Sequence, residues 1–136
     1  MKRILVIGGA CQGKTDWVEK NFPRYQNIFI EDLLKENKLG QMHQGVWINK
    51  FHLIMKQWLW EGREYKKEVS LLMKNPSWLV ASDEIGNGVV PVSKEDRRWR
   101  EETGRMLCEL AKEADEVYRI YCGIATRIKG CDKQCF

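Results

Sequence analysis

Residues 8–15 constrain the fold more than any other stretch. Gly8-Gly9-Ala10-Cys11-Gln12-Gly13-Lys14-Thr15 follows the spacing G-x-x-x-x-G-K-[ST], which wraps main chain around a phosphate. The short β-branched, apolar run Arg3-Ile4-Leu5-Val6-Ile7 precedes it, and the helix-capable Thr15-Asp16-Trp17-Val18-Glu19-Lys20 follows. Gly8 and Gly13 accept backbone angles that side-chained residues resist. The N–H groups from Gly8 through Gly13 then point inward as an anion nest, and the next helix adds its positive N-terminal end. In such a loop Lys14 reaches the β- and γ-phosphates and the Thr15 hydroxyl ligates Mg²⁺. The competing reading is a glycine-rich strand-to-helix turn that a Lys-Thr pair follows by chance.

A length of 136 residues suggests one domain, spanning 1–136, with room for a core, and 43% hydrophobic residues mark it as globular. The formal charge of +4 suits an anionic ligand such as a nucleotide. Basic residues are spread along the chain without a long Lys/Arg run or a basic-aromatic repeat, so nucleic acid is not expected as a partner. The apolar run after Met1-Lys2-Arg3 stops at Gly8, too short for a secretory signal, and no stretch approaches a membrane span. The cytoplasm is the expected location. Five cysteines (Cys11, Cys108, Cys122, Cys131 and Cys135) form an odd set that argues against a disulfide framework. Cys131-x-x-x-Cys135 with Cys122 upstream has poor metal-site spacing and no nearby His, which favours a frayed tail with free thiols.

After the loop, a first helix runs from Lys14 to about Phe22 and ends at Pro23. Asn27-Ile28-Phe29-Ile30 reads as a second strand. Glu31 and Asp32 follow it, either as groups binding a substrate hydroxyl or a metal-bound water, or as charge at the N-terminus of a helix Leu33-Leu34-Lys35-Glu36. A loop containing His43 leads into a long helical stretch from about Val46 to Met73, split at Gly62. His52 lies among its apolar residues and reads as a core or surface histidine rather than a catalyst. Trp58 and Trp60 read as packing or as a face that meets a partner.

Trp78-Leu79-Val80-Ala81-Ser82 is nearly all apolar, which fits a parallel strand buried on both faces. It closes on Asp83-Glu84, where a carboxylate can complete a Mg²⁺ site or activate an acceptor; the plainer reading is a solvated strand end. Ile85-Gly86-Asn87-Gly88-Val89-Val90-Pro91 forms a glycine-spaced loop beside it. Ser93 and Asp96 mark the start of a helix whose buried stripe is Trp99, Thr103, Met106, Leu107, Leu110 and Ala114. Gly104 within that helix suggests a close approach. Arg97, Arg98, Arg100 and Arg105 read as a solvated face, the alternative being that one or two of them reach phosphate. Glu116-Val117-Tyr118-Arg119-Ile120-Tyr121 reads as the last strand, with a short, partly basic segment after it. The order β-α-β-α-α-β-α-β implies an α/β fold with a parallel sheet and helical crossovers.

Ser82-Asp83-Glu84-Ile85-Gly86-Asn87-Gly88-Val89-Val90-Pro91 resembles the N-E-V-G-x-G-I-V-P segment of the adenosylcobinamide kinase / adenosylcobinamide-phosphate guanylyltransferase family. Arg97-Arg98-Trp99-Arg100 resembles its R-x-F-R, Gly104-Arg105 its G-R, Ala114-Asp115-Glu116-Val117 its A-D-E-V, and Gly123 with Lys129 its closing G-x-x-x-x-x-K. With the loop, the resemblance covers residues 1–22 and about 78–129. It implies a P-loop NTPase fold of RecA-like type, often trimeric, that phosphorylates the aminopropanol hydroxyl of adenosylcobinamide with ATP or GTP and then transfers GMP through a guanylylated histidine. Here Asp83 stands where the family has Asn, Leu107-Cys108 stands for its N-Q pair, and neither His43 nor His52 fits its H-x-x-x-R helix. Its D-C-L-T type strand end is not evident either.

The combined expectation is a nucleotide-dependent kinase that has lost the guanylyltransferase step. Gly8, Gly9, Ala10, Cys11, Gln12 and Gly13 would cradle phosphates; Lys14 would neutralise them; Thr15 and Asp83 would hold Mg²⁺; Asp83 or Glu84 would order the metal or activate the acceptor. The expected cofactor is ATP or GTP with Mg²⁺, and the expected partners are nucleotide, adenosylcobinamide and further copies of the chain. The alternative is a nucleotide-binding regulatory or assembly protein without catalysis.

Overall fold

The computed structural model describes residues 2–28, 45–85 and 93–130. Along the chain the described elements are β1 (Ile4–Gly8), α1 (Lys14–Asn21), β2 (Gln26–Ile28), β3 (Val46–Ile48), α2 (Phe51–Glu61), α3 (Tyr65–Lys74), β4 (Trp78–Asp83), α4 (Lys94–Glu113), β5 (Glu116–Tyr121) and β6 (Ile124–Lys129). The strands form one sheet in the order β2-β3-β4-β1-β5-β6. Every pairing is parallel except β5 with β6. This is the expected α/β class, a mostly parallel sheet joined by helical crossovers.

The near-continuous apolar runs of β1 and β4 follow from their central places, where both faces are covered. Alternate residues feed alternate layers. Leu5, Val46, Ile48, Trp78, Val80 and Val117 face the layer built by α2, α3 and α4, with Phe51, Trp58, Val69, Leu72, Met106 and Leu110 buried between. Ile4, Val6, Trp47, Leu79, Ala81 and Ile120 face the other layer, which α1 covers through Val18 and the partly buried Trp17. Each fully buried large side chain contributes roughly 1.5–3 kcal/mol, so the three-helix layer carries most of the core.

Three sequence expectations change. Val46-Trp47-Ile48 is a strand, not the start of a helix: it pairs with β2 and β4 and all three residues are buried. The helix begins only after Lys50, whose left-handed φ of 56° breaks the chain direction without a glycine. The segment after β5 is the sixth strand, returning through a tight turn in which Cys122 and Gly123 both have positive φ. Gly104 approaches nothing, since a Cβ there would meet no atom within 4 Å. Other expectations hold: Gly62 ends α2 in the left-handed conformation, and the Ser93 hydroxyl accepts the Asp96 N–H at 3.1 Å.

The register sets the level of the site. Gly8 pairs with Asp83 on one side and Ile120 on the other, so the loop leaves β1 where β4 ends. A Cβ at Gly8 would stand 2.5 Å from the Ile120 carbonyl oxygen, so only glycine fits there. Ile48, the last residue of β3, pairs with Val80, three positions short of Asp83. The first turn of α2 fills that step and arrives beside the end of β4.

Candidate active site at the carboxyl edge of the sheet

The ends of β1, β3 and β4 enclose a cavity of about 370 Å³. Ala10, Cys11, Gln12, Gly13, Lys14, Thr15 and Asp16 form one wall, Ser82 and Asp83 another, and Asn49, Lys50, His52 and Leu53 a third. A crevice outside the carboxyl ends of strands is where open α/β sheets bind ligands.

The loop is held from three sides. Gly13 takes a φ of 87° and starts α1 without a side-chain cap, leaving the helix end to face the cavity. Cys11 is also left-handed, at φ 58°. The Gln12 side-chain oxygen accepts the Cys122 N–H at 2.7 Å and its carbonyl accepts the Gly123 N–H at 2.8 Å, which fastens the loop to the β5–β6 turn. At Gly8 the carbonyl accepts the Glu84 N–H at 2.8 Å.

Lys14 is 9% exposed and folds back over the loop. Its ammonium donates to the Gly9 carbonyl at 2.6 Å and lies 2.7 Å from Asp83 Oδ1. The Thr15 hydroxyl accepts from the Asn49 amide at 3.3 Å. Thr15 and Asp83 thus present two oxygen donors to one cavity. That set suits Mg²⁺, which takes one or two protein ligands and completes its shell with phosphate and water. Among the described residues no group of three or more His, Cys, Asp or Glu forms a denser metal cluster.

The two residues ending the β4 segment diverge. Asp83 faces the cavity; Glu84 turns to Arg119 on β5, with 2.9 Å between its Oε1 and the guanidinium Nε. Glu31, Asp32, His43, the Gly86–Pro91 loop, Cys131 and Cys135 lie outside the described residues.

Sequence reading missed His52. It is buried at 6% exposure, its Nδ1 accepts the Asp83 N–H at 3.1 Å, and its Nε2 lies 3.3 Å from Asp83 Oδ2. Burial lowers its pKa below the ordinary histidine value; the Lys14 and Lys50 ammoniums push the same way, and Asp83 pulls back. The missing signal was β3: with a strand ending at Ile48, the next helical turn has to lie beside the end of β4.

A family model for cobinamide kinase / cobinamide phosphate guanyltransferase matches residues 36–128, more than half of the 136. The chain belongs to that family. Membership makes it a cobinamide kinase/guanylyltransferase-like enzyme of cobalamin biosynthesis, with a P-loop NTPase-like fold. The match includes the middle of the chain, which the motif resemblance skipped, and begins after residues 8–15. The glycine-rich loop therefore stands on its own spacing and geometry. No curated protein matches the chain. Among the described residues no helix is long and apolar enough to cross a membrane.

Proposed function

We propose that the chain is an ATP- or GTP-dependent kinase that phosphorylates the hydroxyl of adenosylcobinamide and has lost the guanylyltransferase step. The observation that carries this reading is the convergence of Lys14, Thr15 and Asp83 on one cavity under an uncapped helix N-terminus. Family membership supports the acceptor.

In this reading the N–H groups of residues 8–13 and Lys14 hold the phosphates, and Lys14 exchanges Asp83 and the Gly9 carbonyl for phosphate oxygens. Thr15 and Asp83 would hold Mg²⁺, which would supply neutralising charge at the phosphates. The acceptor oxygen forms the new bond to the γ-phosphorus as the bond to the bridging oxygen breaks. The hydroxyl proton passes to solvent or a carboxylate, and the nucleoside diphosphate leaves. Such a transfer asks mainly for positioning and charge. Loss of the second step is supported by the sequence, in which neither His43 nor His52 is followed by an Arg four positions on.

Turnover of ATP and of GTP, with Mg²⁺, with and without adenosylcobinamide, tests the reading when products are resolved by mass. Phosphorylated cobinamide without GDP-cobinamide is the expected result. Nucleotide binding with no product overturns the kinase and leaves a nucleotide-binding regulatory or assembly protein.

A further inference from the structure

We propose that His52 is a positioning residue that fixes the conformer of Asp83 from behind, bracketing it at its backbone N–H and at Oδ2 so that Oδ1 is presented to Lys14. The inference rests on the functional reading above, in which Asp83 works at the phosphates.

Asp83 is the last residue of β4, with a quarter of its side chain exposed. The terminal torsion of an aspartate is broad and nearly two-fold. Left to itself, the carboxylate would sample orientations that a reacting centre cannot use, since catalytic groups need placement to within roughly half an ångström. One ring limits this freedom: it is anchored at the Asp83 backbone N–H and from there meets one carboxylate oxygen. Nδ1 accepts the Asp83 N–H at 3.1 Å, so the ring proton sits on Nε2, the atom 3.3 Å from Oδ2. Oδ1 is left to Lys14, at 2.7 Å.

His52 is itself held. Its backbone carbonyl accepts the Trp99 indole N–H at 2.7 Å, and the two rings lie 6.5 Å apart. Lys56 places its ammonium 4.7 Å over the Trp99 ring. A line of contacts thus runs from α4 through Trp99 and His52 to Asp83. His52 lines the cavity, yet it is 6% exposed and both ring nitrogens are directed to Asp83. Those contacts make it a support for Asp83 rather than a group that meets the ligand.

The test combines a spectroscopic reading of the bracket with kinetics. In the full chain labelled with ¹⁵N, the His52 ring should show the Nε2–H tautomer, and the Asp83 amide should move in His52→Ala and stay near its wild-type position in His52→Asn. The Asn side-chain oxygen stands where Nδ1 stood. An Nδ1–H tautomer, or an Asp83 amide that does not respond to His52→Ala, overturns the proposal.

In turnover, His52→Ala should lower kcat about ten- to a hundredfold, as loss of a supporting partner does elsewhere. The nucleotide KM should stay within about threefold, and His52→Asn, which keeps the backbone contact and loses the one to Oδ2, should recover only part of the loss. A kcat within about twofold of wild type, or a raised KM at constant kcat, also overturns it. Should His52→Ala fail to fold, His52→Asn and His52→Gln decide. Each amide keeps one half of the bracket, Asn the backbone contact and Gln the one to Oδ2, so both should fall below wild type, and a kcat within about twofold of wild type in either refutes the bracket. A wild-type chain that neither binds nor turns over nucleotide would sink the kinase reading alone, because the tautomer and the amide shift still judge the bracket.

Discussion

Two lysine–carboxylate pairs stand at opposite edges of the sheet. At the carboxyl edge Lys14 meets Asp83 at 2.7 Å; at the amino edge Lys2 meets Glu116 at 2.8 Å. The distances are alike and the surroundings are not. Lys14 is 9% exposed at the side chain, against 63% for Lys2. Lys14 lines a cavity and shares its protons with the Gly9 carbonyl, while Glu116 also accepts the Tyr118 hydroxyl at 2.7 Å and simply joins strand ends. The lesson is that separation does not assign a role. A sheltered ammonium beside an open cavity is a charge that a ligand can claim, whereas a pair whose ammonium is exposed is screened from that side and adds about 0–1 kcal/mol.

Four substitutions would break or sharpen this contrast. The largest effect is expected for Lys14→Ala, which should weaken ATP binding by roughly a hundredfold or more in calorimetric titration, as a charge-assisted contact to phosphate is lost. Undiminished binding would reduce Lys14–Asp83 to a staple like its counterpart. Asp83→Asn should lower kcat by about a hundredfold, in the range for removing one group that stabilises a transition state, with a smaller change in KM. Gly8→Ala should cost about 1–3 kcal/mol in urea unfolding, because the added methyl collides with the backbone oxygen of Ile120.

The smallest effect belongs to the amino edge. Glu116→Gln should cost no more than about 1 kcal/mol at neutral pH, given the exposure of Lys2. Burial alone would raise the Glu116 carboxyl, but hydrogen bonds from Lys2 and Tyr118 outweigh it and leave its pKa below 4.5. A carboxylate with a depressed folded pKa stabilises the fold above its unfolded pKa and loses that contribution as pH falls through the folded value. The gap between wild type and Glu116→Gln should therefore close on acidification below pH 4.5, and a gap that widens there would contradict the assignment.

The loop and the β4 end were legible in the sequence because both depend on short-range chemistry: glycines at fixed offsets, an apolar run closing on acid. The third wall of the cavity was not. Val46-Trp47-Ile48 is too short to show a strand period, is buried on both faces, and runs into a helix of similar composition. Its break, a left-handed lysine, carries none of the glycine signal that marked Gly62. With β3 read as helix, His52 had no reason to lie near Asp83. β6 escaped for the opposite reason: all but Ala125 of its residues are exposed, so burial leaves little pattern, and only the Cys122-Gly123 turn announces the hairpin.

The attachment of Gln12 to the β5–β6 turn gives the molecule its own strain gauge. The amides of Cys122 and Gly123 donate to the side chain and carbonyl of Gln12 in the loop. Any rearrangement of the loop around an incoming anion is thereby written into the solvent-exchange rates of two amides one strand away, where no ligand need touch them.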